Sequence, residues 1–282
     1  MARSIFEAYN GTKKALQEAG IEDYGFEARQ MIRRVTGYTS NQILEHWQQP
    51  LSAFQENNLT AMIHQRAIRY PLQYMFGEWS FYGRDFSVGT GVLIPRQDTE
   101  VLVETALKEL TDIPEPTVLD LCAGTGCIGI TVGLERQDAA VTLVEKYPQP
   151  MAYIEKNIKR HGAENVRALN GDVLAGCGND GMYDLIVSNP PYIPDDEMAT
   201  VSPEVHFEPE EALRGGADGL TFYRAIAKQY ADAVKSGGKM MFEVGIHEAQ
   251  AVSEILREAG FTDISVQKDY GGTDRVVYGT KY

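Results

Sequence analysis

The most constraining feature of this sequence is an alternation of strand-like and helix-like patterns that begins near residue 117. Five short apolar runs have the composition of buried strands: "TVLDL", "AVTLVEK", "VRALNGD", "YDLIVSN" and "KMMFEVG". Helical patterns separate the first three runs, and this order is typical of a doubly wound parallel sheet. We therefore predict an α/β fold for residues 94–282.

The beginning of the chain has a different pattern. In residues 1–75, apolar residues recur at helical spacing, as in Ala28, Met31, Ile32 and Val35, which predicts a small helical bundle. Residues 76–93 alternate aromatic and polar side chains between glycines, which predicts a β-hairpin linker. A second hairpin is expected near the end of the chain, around Gly271 and Gly272.

Charge and cysteine content narrow the range of possible functions. The 282-residue chain has a net charge of -14, which disfavours nucleic acid and anionic membranes and favours basic partners, although the acidity could equally serve solubility alone. Its three cysteines form no C-x-x-C pair, so we expect neither disulfides nor a metal site. Without a signal peptide or an apolar run of membrane-spanning length, we expect a cytoplasmic protein.

A glycine-rich loop follows the first strand of the α/β region. Gly124, Gly126 and Gly129 match the G-x-G-x-x-G dinucleotide fingerprint, and Glu145 ends the next strand about 20 residues on. Taken alone, these residues would suggest a nicotinamide dehydrogenase. A tight turn that binds nothing is the structural alternative.

Asp120 favours a different cofactor. Because a pyrophosphate on the helix N-terminus needs N–H donors, we expect a carboxylate beside it to repel it. S-adenosyl-L-methionine instead carries an ammonium and a sulfonium, which a carboxylate attracts. Glu145 is then expected to accept from the ribose hydroxyls and Asp172 from the adenine amino group, with Val173 covering the ring.

The fourth strand stops at Asn189-Pro190-Pro191-Tyr192. An amide nitrogen is a weak nucleophile because its lone pair is delocalised. Two fixed acceptors, the Asn189 side-chain carbonyl and the Pro190 main-chain carbonyl, could hold its N–H groups and turn the lone pair toward a methyl donor. Tyr192 could stack on the planar group. The alternative is a purely structural loop, in which the Asn189 side chain caps nearby backbone groups and the prolines only stiffen the chain.

These residues resemble a known family, the release factor glutamine N5-methyltransferases of the HemK type. The similar stretches are "PLQYMFGEWSFYG", "LIPRQDTE", "VLDLCAGTG", "VSNPPYIP", "FEPEEALRGGADGLTFYRAI" and "DRVV". The resemblance implies a helical N-terminal domain joined by a hairpin to a Rossmann-like methyltransferase domain. It also implies methyl transfer from S-adenosyl-L-methionine to the glutamine of the Gly-Gly-Gln loop in class 1 peptide chain release factors.

The resemblance also implies roles for individual residues. Cofactor contacts fall on Cys122, Ala123, Gly124, Thr125, Gly126, Glu145, Val173 and Asn189. Substrate contacts fall on Asn189, Pro190, Pro191 and Tyr192. The sequence departs from the family at Glu145, where Asp is usual, and at Cys122, where Gly is common.

Several alternatives stay open at this point. The same four-residue stop serves glutamine methylation of a ribosomal protein and, less compatibly with the charge, methylation of an adenine or guanine amine. A dehydrogenase and a non-catalytic module that binds a translation factor are further alternatives. We expect the helical domain to recognise the partner, no stable nucleic-acid or membrane binding, and a monomer.

Overall fold

The computed structural model describes residues 2–178 and 180–282. These residues divide into two compact units: residues 2–77 with Pro203–Phe207, and Glu78–Ser202 with Glu208–Tyr282. Within the described ranges, no helix combines the length and the apolar character needed to cross a bilayer.

The first unit is helical, as the sequence pattern predicts. Its helices are α1 (Ile5–Glu18), α2 (Tyr24–Thr36), α3 (Ser40–Glu45), α4 (Ala53–Ala67) and α5 (Leu72–Phe76). Ser4, Thr39 and Ser52 start α1, α3 and α4 with capping boxes, in which the hydroxyl accepts an N–H three residues on. Gly37 ends α2 in the left-handed conformation. These caps explain why the helices begin and end where they do.

A short segment from much later in the chain completes the helical unit. The Glu204 carboxylate accepts from Arg66 at 2.9 Å and from Arg69 at 3.1 Å. Phe207 packs edge-on against Tyr70, with ring centroids 5.3 Å apart. Arg66 also pairs with Glu27 at 2.7 Å. Sequence patterns did not indicate this segment, because its partners lie about 135 residues away.

The second unit begins with a two-stranded hairpin and continues as an α/β sandwich. The hairpin strands are β1 (Glu78–Phe81) and β2 (Arg84–Ser87), which pair antiparallel inside the predicted 76–93 linker. The following elements are α6 (Glu100–Glu109), β3 (Thr117–Leu121), α7 (Cys127–Glu135), β4 (Ala140–Glu145), α8 (Pro148–His161), β5 (Val166–Asn170), β6 (Tyr183–Ser188), β7 (Ile193–Pro194), β8 (Arg214–Gly216), α9 (Thr221–Tyr230), β9 (Val234–Glu243), α10 (Ala249–Glu258), β10 (Phe261–Lys268) and β11 (Asp274–Lys281).

In the described part of the chain, the main sheet has seven strands in the order β10-β11-β9-β6-β3-β4-β5. The strands β9, β6, β3, β4 and β5 run parallel, whereas β11 pairs antiparallel with β9 and β10. One apolar core includes residues of α6, α7 and α8, and a second includes residues of α9 and α10. The predicted α/β class, with helices on both faces of a mainly parallel sheet, is confirmed.

The order of the strands in the sheet indicates where the candidate site lies. The chain moves outward from β3 to β4 and β5 on one side, and later to β6 and β9 on the other. The order therefore reverses between β3 and β6, and ligands of such sheets bind beyond the carboxyl ends of the strands at this point. Leu121 pairs with Ser188 there, so the glycine loop and Asn189 leave adjacent strands at the same edge.

Candidate active site

A cavity of about 240 Å³ opens at this edge of the sheet within the second unit. Nine of the sequence-predicted site residues line it: Cys122, Ala123, Gly124, Thr125, Glu145, Asp172, Val173, Asn189 and Pro191. Asp120, Gly126, Pro190 and Tyr192 are not among its lining residues. The roles of all these residues stay predictions, but most of them share one cavity, as expected from consecutive strand ends.

Glu145 holds the glycine loop in place from the end of β4. One carboxylate oxygen accepts the Gly124 N–H at 3.0 Å, and the other accepts the Tyr147 N–H at 2.9 Å. Burial raises the pKa of Glu145, and these N–H groups oppose the shift. Each oxygen keeps a further lone pair, so the carboxylate can both shape the loop and accept from a ligand.

Asp120 lies near the end of β3, outside the lining of the cavity. Its side chain is fully buried below the loop, where one oxygen accepts the Gly129 N–H at 2.9 Å. A β-carbon on Gly129 would lie 2.1 Å from a Leu143 methyl, so α7 packs against β4 closely enough to require glycine here. Asp120 therefore supports the first turn of α7 beneath the glycine loop, and its predicted role in cofactor binding stays a prediction.

Cys122 occupies an unusual backbone conformation. Its φ of 60° lies in the left-handed region, which costs a non-glycine residue roughly 1–2 kcal/mol. This conformation gives a physical reason for the glycine that is common here in the resembling family. Burial raises the pKa of the Cys122 thiol, so it stays protonated near neutral pH and is no nucleophile.

Asp172 and Val173 line the cavity just beyond the end of β5. One Asp172 oxygen accepts the Leu174 N–H at 2.9 Å, and the other pairs with the Lys146 ammonium at 2.9 Å. The pKa of Asp172 is lowered mainly by Lys146, so the carboxylate is ionised. Val173 is buried. An apolar side chain thus lies next to an anionic acceptor in the cavity lining.

Asn189 directly follows the buried end of β6. The Ser188 hydroxyl donates to the Leu121 carbonyl at 2.6 Å and ties β6 to the end of β3. The Asn189 side-chain NH₂ donates to the Thr99 hydroxyl at 3.4 Å. The Asn189 amide is therefore held on one side by the protein while its residue lines the cavity.

Pro190 and Tyr192 follow Asn189 in the chain but are not among the residues that line the cavity. The Tyr192 side chain is partly buried against the second apolar core, and burial raises the pKa of its phenol. A β-carbon on Gly215 would lie 2.7 Å from the Tyr192 Cα, so β8 approaches this backbone as only glycine allows. The Ile193 N–H donates to the Leu213 carbonyl at 2.8 Å. Close backbone packing thus fixes the course of the N-P-P-Y stop.

Two further segments line the cavity that the sequence reasoning did not assign to the site. They contribute Leu93, Pro95, Arg96 and Thr99, and Pro209, Glu211 and Ala212. Buried Glu208 joins these segments by accepting the Ile94 N–H at 2.9 Å and pairing with the Arg96 guanidinium. The stretches "LIPRQDTE" and "FEPEEAL", which belong to the family resemblance, contain these residues, and that signal could have found them.

The comparisons with known proteins agree with this geometry. Residues 97–218 match the family described as "Methyltransferase small domain", and residues 7–77 match "PrmC N-terminal domain". Among solved structures, a methyltransferase from Pyrococcus furiosus is 18% identical, with a TM-score of 0.53 over 80% of this chain and 98% of that one. At this identity the likeness concerns the fold.

Curated relatives cover nearly the whole chain. A release factor glutamine methyltransferase of Geobacter sulfurreducens is 37% identical over 98% of this chain and 96% of its own length. One from Fusobacterium nucleatum subsp. nucleatum is 36% identical over 98% of this chain and 78% of its own. The predicted resemblance is confirmed, and this chain belongs to the release factor glutamine methyltransferase family.

Proposed function

We propose that this protein transfers a methyl group from S-adenosyl-L-methionine to the side-chain amide nitrogen of the glutamine in the Gly-Gly-Gln loop of class 1 peptide chain release factors. Family membership supports the reaction and the substrate class. The structural observation that carries the proposal is the position of Asn189. Asn189 lines the same cavity as the glycine loop, from the adjacent strand end.

The lining of the cavity fits a cationic cofactor. The carboxylates of Glu145, Asp172 and Glu211 line it, while its two lining cations, Arg96 and Lys146, are each paired with a carboxylate among the described residues. This charge pattern disfavours the pyrophosphate of a dinucleotide. When bound, S-adenosyl-L-methionine supplies an electrophilic methyl group on a cationic sulfur.

The residues around the cavity would hold that cofactor as follows. Glu145 would accept from the ribose hydroxyls, Asp172 would accept from the adenine amino group, and Val173 would cover the ring. The backbone of the glycine loop from Cys122 to Gly126 would hold the rest of the cofactor.

Orientation is the main catalytic contribution of the N-P-P-Y stop in this proposal. The Asn189 side-chain carbonyl and the Pro190 main-chain carbonyl accept the two N–H groups of the substrate amide. Pro191 and Tyr192 contact the substrate glutamine, and Tyr192 stacks on its planar amide. As the lone pair of the substrate nitrogen bonds to the methyl carbon, the carbon–sulfur bond would break and leave its electron pair on sulfur. The positive charge that nitrogen gains strengthens both hydrogen bonds, and one N–H proton then passes to solvent water.

The distribution of charge supports a basic substrate. Residues 78–282 contain 18 Lys and Arg against 33 Asp and Glu, a net charge of -15, whereas residues 1–77 contain 8 against 7, a net charge of +1. The acidity thus belongs to the part that contains the cavity. A loop that normally meets ribosomal RNA should have basic surroundings, and an acidic enzyme would attract it.

We further propose that the helical domain over residues 1–75 recognises the release factor, with residues 76–93 as linker and 94–282 as the methyltransferase domain. On this proposal the enzyme acts as a cytoplasmic monomer without stable nucleic-acid or membrane binding.

Transfer of labelled methyl to purified class 1 release factor tests the proposal, with a release factor carrying Gln→Ala in the Gly-Gly-Gln loop as control. We expect label on the wild-type factor only. Equal labelling of both factors would place the target elsewhere. Label on a ribosomal protein but on neither factor would show that the substrate is misassigned.

A further inference from the structure

Three glycines from two segments of the chain pack closely around Tyr192. Besides Gly215, which meets its Cα, a β-carbon on Gly219 would lie 2.4 Å from the Tyr192 carbonyl oxygen. A β-carbon on Gly245, just beyond β9, would lie 3.0 Å from the ring carbon Cδ2. Gly215 and Gly219 belong to the stretch "RGGADGL", which is part of the family resemblance but has no role in the proposed function. Larger residues at these positions would displace Tyr192, so the glycines allow it one tightly enclosed place.

Glu248 contacts two of these glycines. Its Oε2 accepts the Gly245 N–H at 2.8 Å, and its Oε1 lies 2.5 Å from the point that a β-carbon on Gly219 would occupy. That point on Gly219 is also the one beside the Tyr192 carbonyl oxygen. One carboxylate therefore links the segment that packs on the Tyr192 ring to the segment that packs on its backbone.

A buried tyrosine holds this carboxylate in place. The Tyr223 hydroxyl lies 3.2 Å from the Glu248 Oε2 and 2.9 Å from the Glu243 carbonyl oxygen. Tyr223 is fully buried and packs edge-on against Phe242, with ring centroids 5.3 Å apart. Because Tyr223 and the Gly245 N–H both approach the same oxygen, the orientation of the Glu248 carboxylate is restricted.

Support of α10 alone is the ordinary alternative for Glu248. It occupies the N-cap position of α10, where a negative charge stabilises a helix. Its side chain, however, makes no capping hydrogen bond to α10 and accepts instead from Gly245, three residues earlier in the chain. This hydrogen bond thus fixes the loop between β9 and α10, which packs against the Tyr192 ring.

We propose that Glu248 is a positioning residue that keeps Tyr192 in place for the substrate amide. This inference rests on the proposed function, in which Tyr192 stacks on that amide and the nearby Pro190 carbonyl accepts one of its N–H groups. Without the Glu248 acceptor, the Gly245 segment is free to shift, and Tyr192 can shift with it. A displacement of about 1 Å at the reacting groups can lower a rate about 100-fold, so loosening this packing should slow methyl transfer.

Steady-state kinetics with the full-length enzyme, S-adenosyl-L-methionine and class 1 release factor test the proposal. In Glu248→Ala, we expect kcat to fall about tenfold or more. Glu248→Gln loses the charge but keeps an acceptor for Gly245, and its kcat should stay within about threefold of wild type. Affinity for S-adenosyl-L-homocysteine, measured by calorimetry, should change less than about twofold in both variants, because neither Glu248 nor Gly245 lines the cavity.

The matched control is Glu254→Ala. Glu254 is an exposed glutamate of α10, and its carboxylate accepts from Gln250 one turn away. This variant removes the same charge from the same region and should leave kcat unchanged.

A second pair of variants tests the packing on the Tyr192 backbone. Gly219 has a φ of 75° and Gly237 has a φ of 80°, so alanine meets comparable backbone strain at both positions. A β-carbon on Gly237 meets no atom within 4 Å, whereas one on Gly219 presses on Tyr192 and Glu248. We expect kcat to be about tenfold or more lower in Gly219→Ala than in Gly237→Ala.

The position of Tyr192 can be followed without any substrate. Fluorine NMR of protein containing fluorotyrosine, with Tyr192→Phe to assign the signal, should show a shifted or broadened Tyr192 signal in Glu248→Ala. The signal should keep its wild-type position and width in Glu248→Gln.

Three results would overturn the proposal: a kcat for Glu248→Ala within about twofold of wild type, an equal loss in Glu248→Gln, or an unchanged Tyr192 signal in Glu248→Ala. If Glu248→Ala does not fold, Gly219→Ala and Gly237→Ala decide, and equal kcat values in these two would overturn the proposal. A wild-type enzyme that leaves the release factor unmethylated would instead refute the proposed function, and the fluorine signal would then decide the positioning alone.

Discussion

The backbone N–H of Gly129 donates to the Asp120 carboxylate at 2.9 Å, below the glycine loop and outside the cavity. The first turn of α7 is thereby attached to the end of β3. Asp120 thus supports the loop from outside the cavity, whereas Cys122 to Thr125 are the loop residues that line the cavity. Cofactor affinity should therefore depend on Asp120 indirectly, through the shape of the loop.

Asp120 should make stability depend on pH. Burial raises its pKa to about 7, so the folded state holds a proton that the unfolded state loses near pH 4. The free energy of unfolding should then fall as pH rises from 5 to 7, by up to about 1.4 kcal/mol per pH unit for this one group. Glu243 and Glu248, whose pKa values are also raised to about 7, act in the same direction.

Denaturant titrations of the enzyme at several pH values would measure this slope. Asp120→Asn keeps an acceptor for Gly129 and should flatten the slope between pH 5 and 7. Asp138→Asn is the control, because Arg136 lowers the pKa of Asp138 to about 2 and its effect lies below that window. Parallel pH curves for wild type and Asp120→Asn would contradict the prediction.

Gly129→Ala should destabilise the second unit. The added methyl would lie 2.1 Å from a Leu143 methyl and 3.0 Å from an Asp120 oxygen. Such overpacking typically costs about 1–3 kcal/mol. Thermal unfolding of Gly25→Ala provides the comparison, since a β-carbon on Gly25 meets no atom within 4 Å. Equal transition temperatures for the two variants would argue against the close packing of α7 on β4.

Glu208→Ala should disturb the wall of the cavity. It leaves the buried Ile94 N–H without its acceptor, which costs about 1–3 kcal/mol, and frees Arg96. We expect lower stability and a raised KM, with a smaller loss for Glu208→Gln, which keeps an acceptor. Glu210→Ala, at an exposed neighbouring position, should match wild type. A wild-type KM in Glu208→Ala would exclude this role.

The efficiency of release factor methylation should fall as the salt concentration rises. If the acidic second unit attracts a basic loop, kcat/KM for the release factor should fall as ionic strength rises above about 0.1 M, where charges farther apart than about 10 Å are screened. Binding of the cofactor alone, measured by calorimetry, should change less. A kcat/KM that is independent of salt would show that electrostatic attraction does not assist methylation of the release factor.

The sequence predicted the candidate site best where a local residue pattern and the expected order of parallel strands indicated the same position. Glu145 and Asn189 could be placed at one site because each follows a buried parallel strand, and such strands end at a common edge. The family resemblance added the reaction. Both inferences start from short patterns, each made of residues that are close to one another along the chain.

Long-range contacts could not be read in the same way. Glu208 pairs with Arg96, and Glu204 pairs with Arg66, over more than 100 residues, and neither pair lies in a periodic pattern. Asp120 illustrates the reverse case. A carboxylate at a strand end can point toward the ligand or beneath the loop, and only the packing of α7 decides between these directions.

The most direct test of the central claim is peptide mass spectrometry of class 1 release factor after incubation with S-adenosyl-L-methionine and either wild-type enzyme or Asn189→Ala. We predict one added methyl on the glutamine of the Gly-Gly-Gln loop with the wild-type enzyme. With Asn189→Ala we predict almost none, although the variant remains folded. Equal methylation by the two enzymes would contradict the role of Asn189, and an unmodified glutamine with both would contradict the proposed reaction.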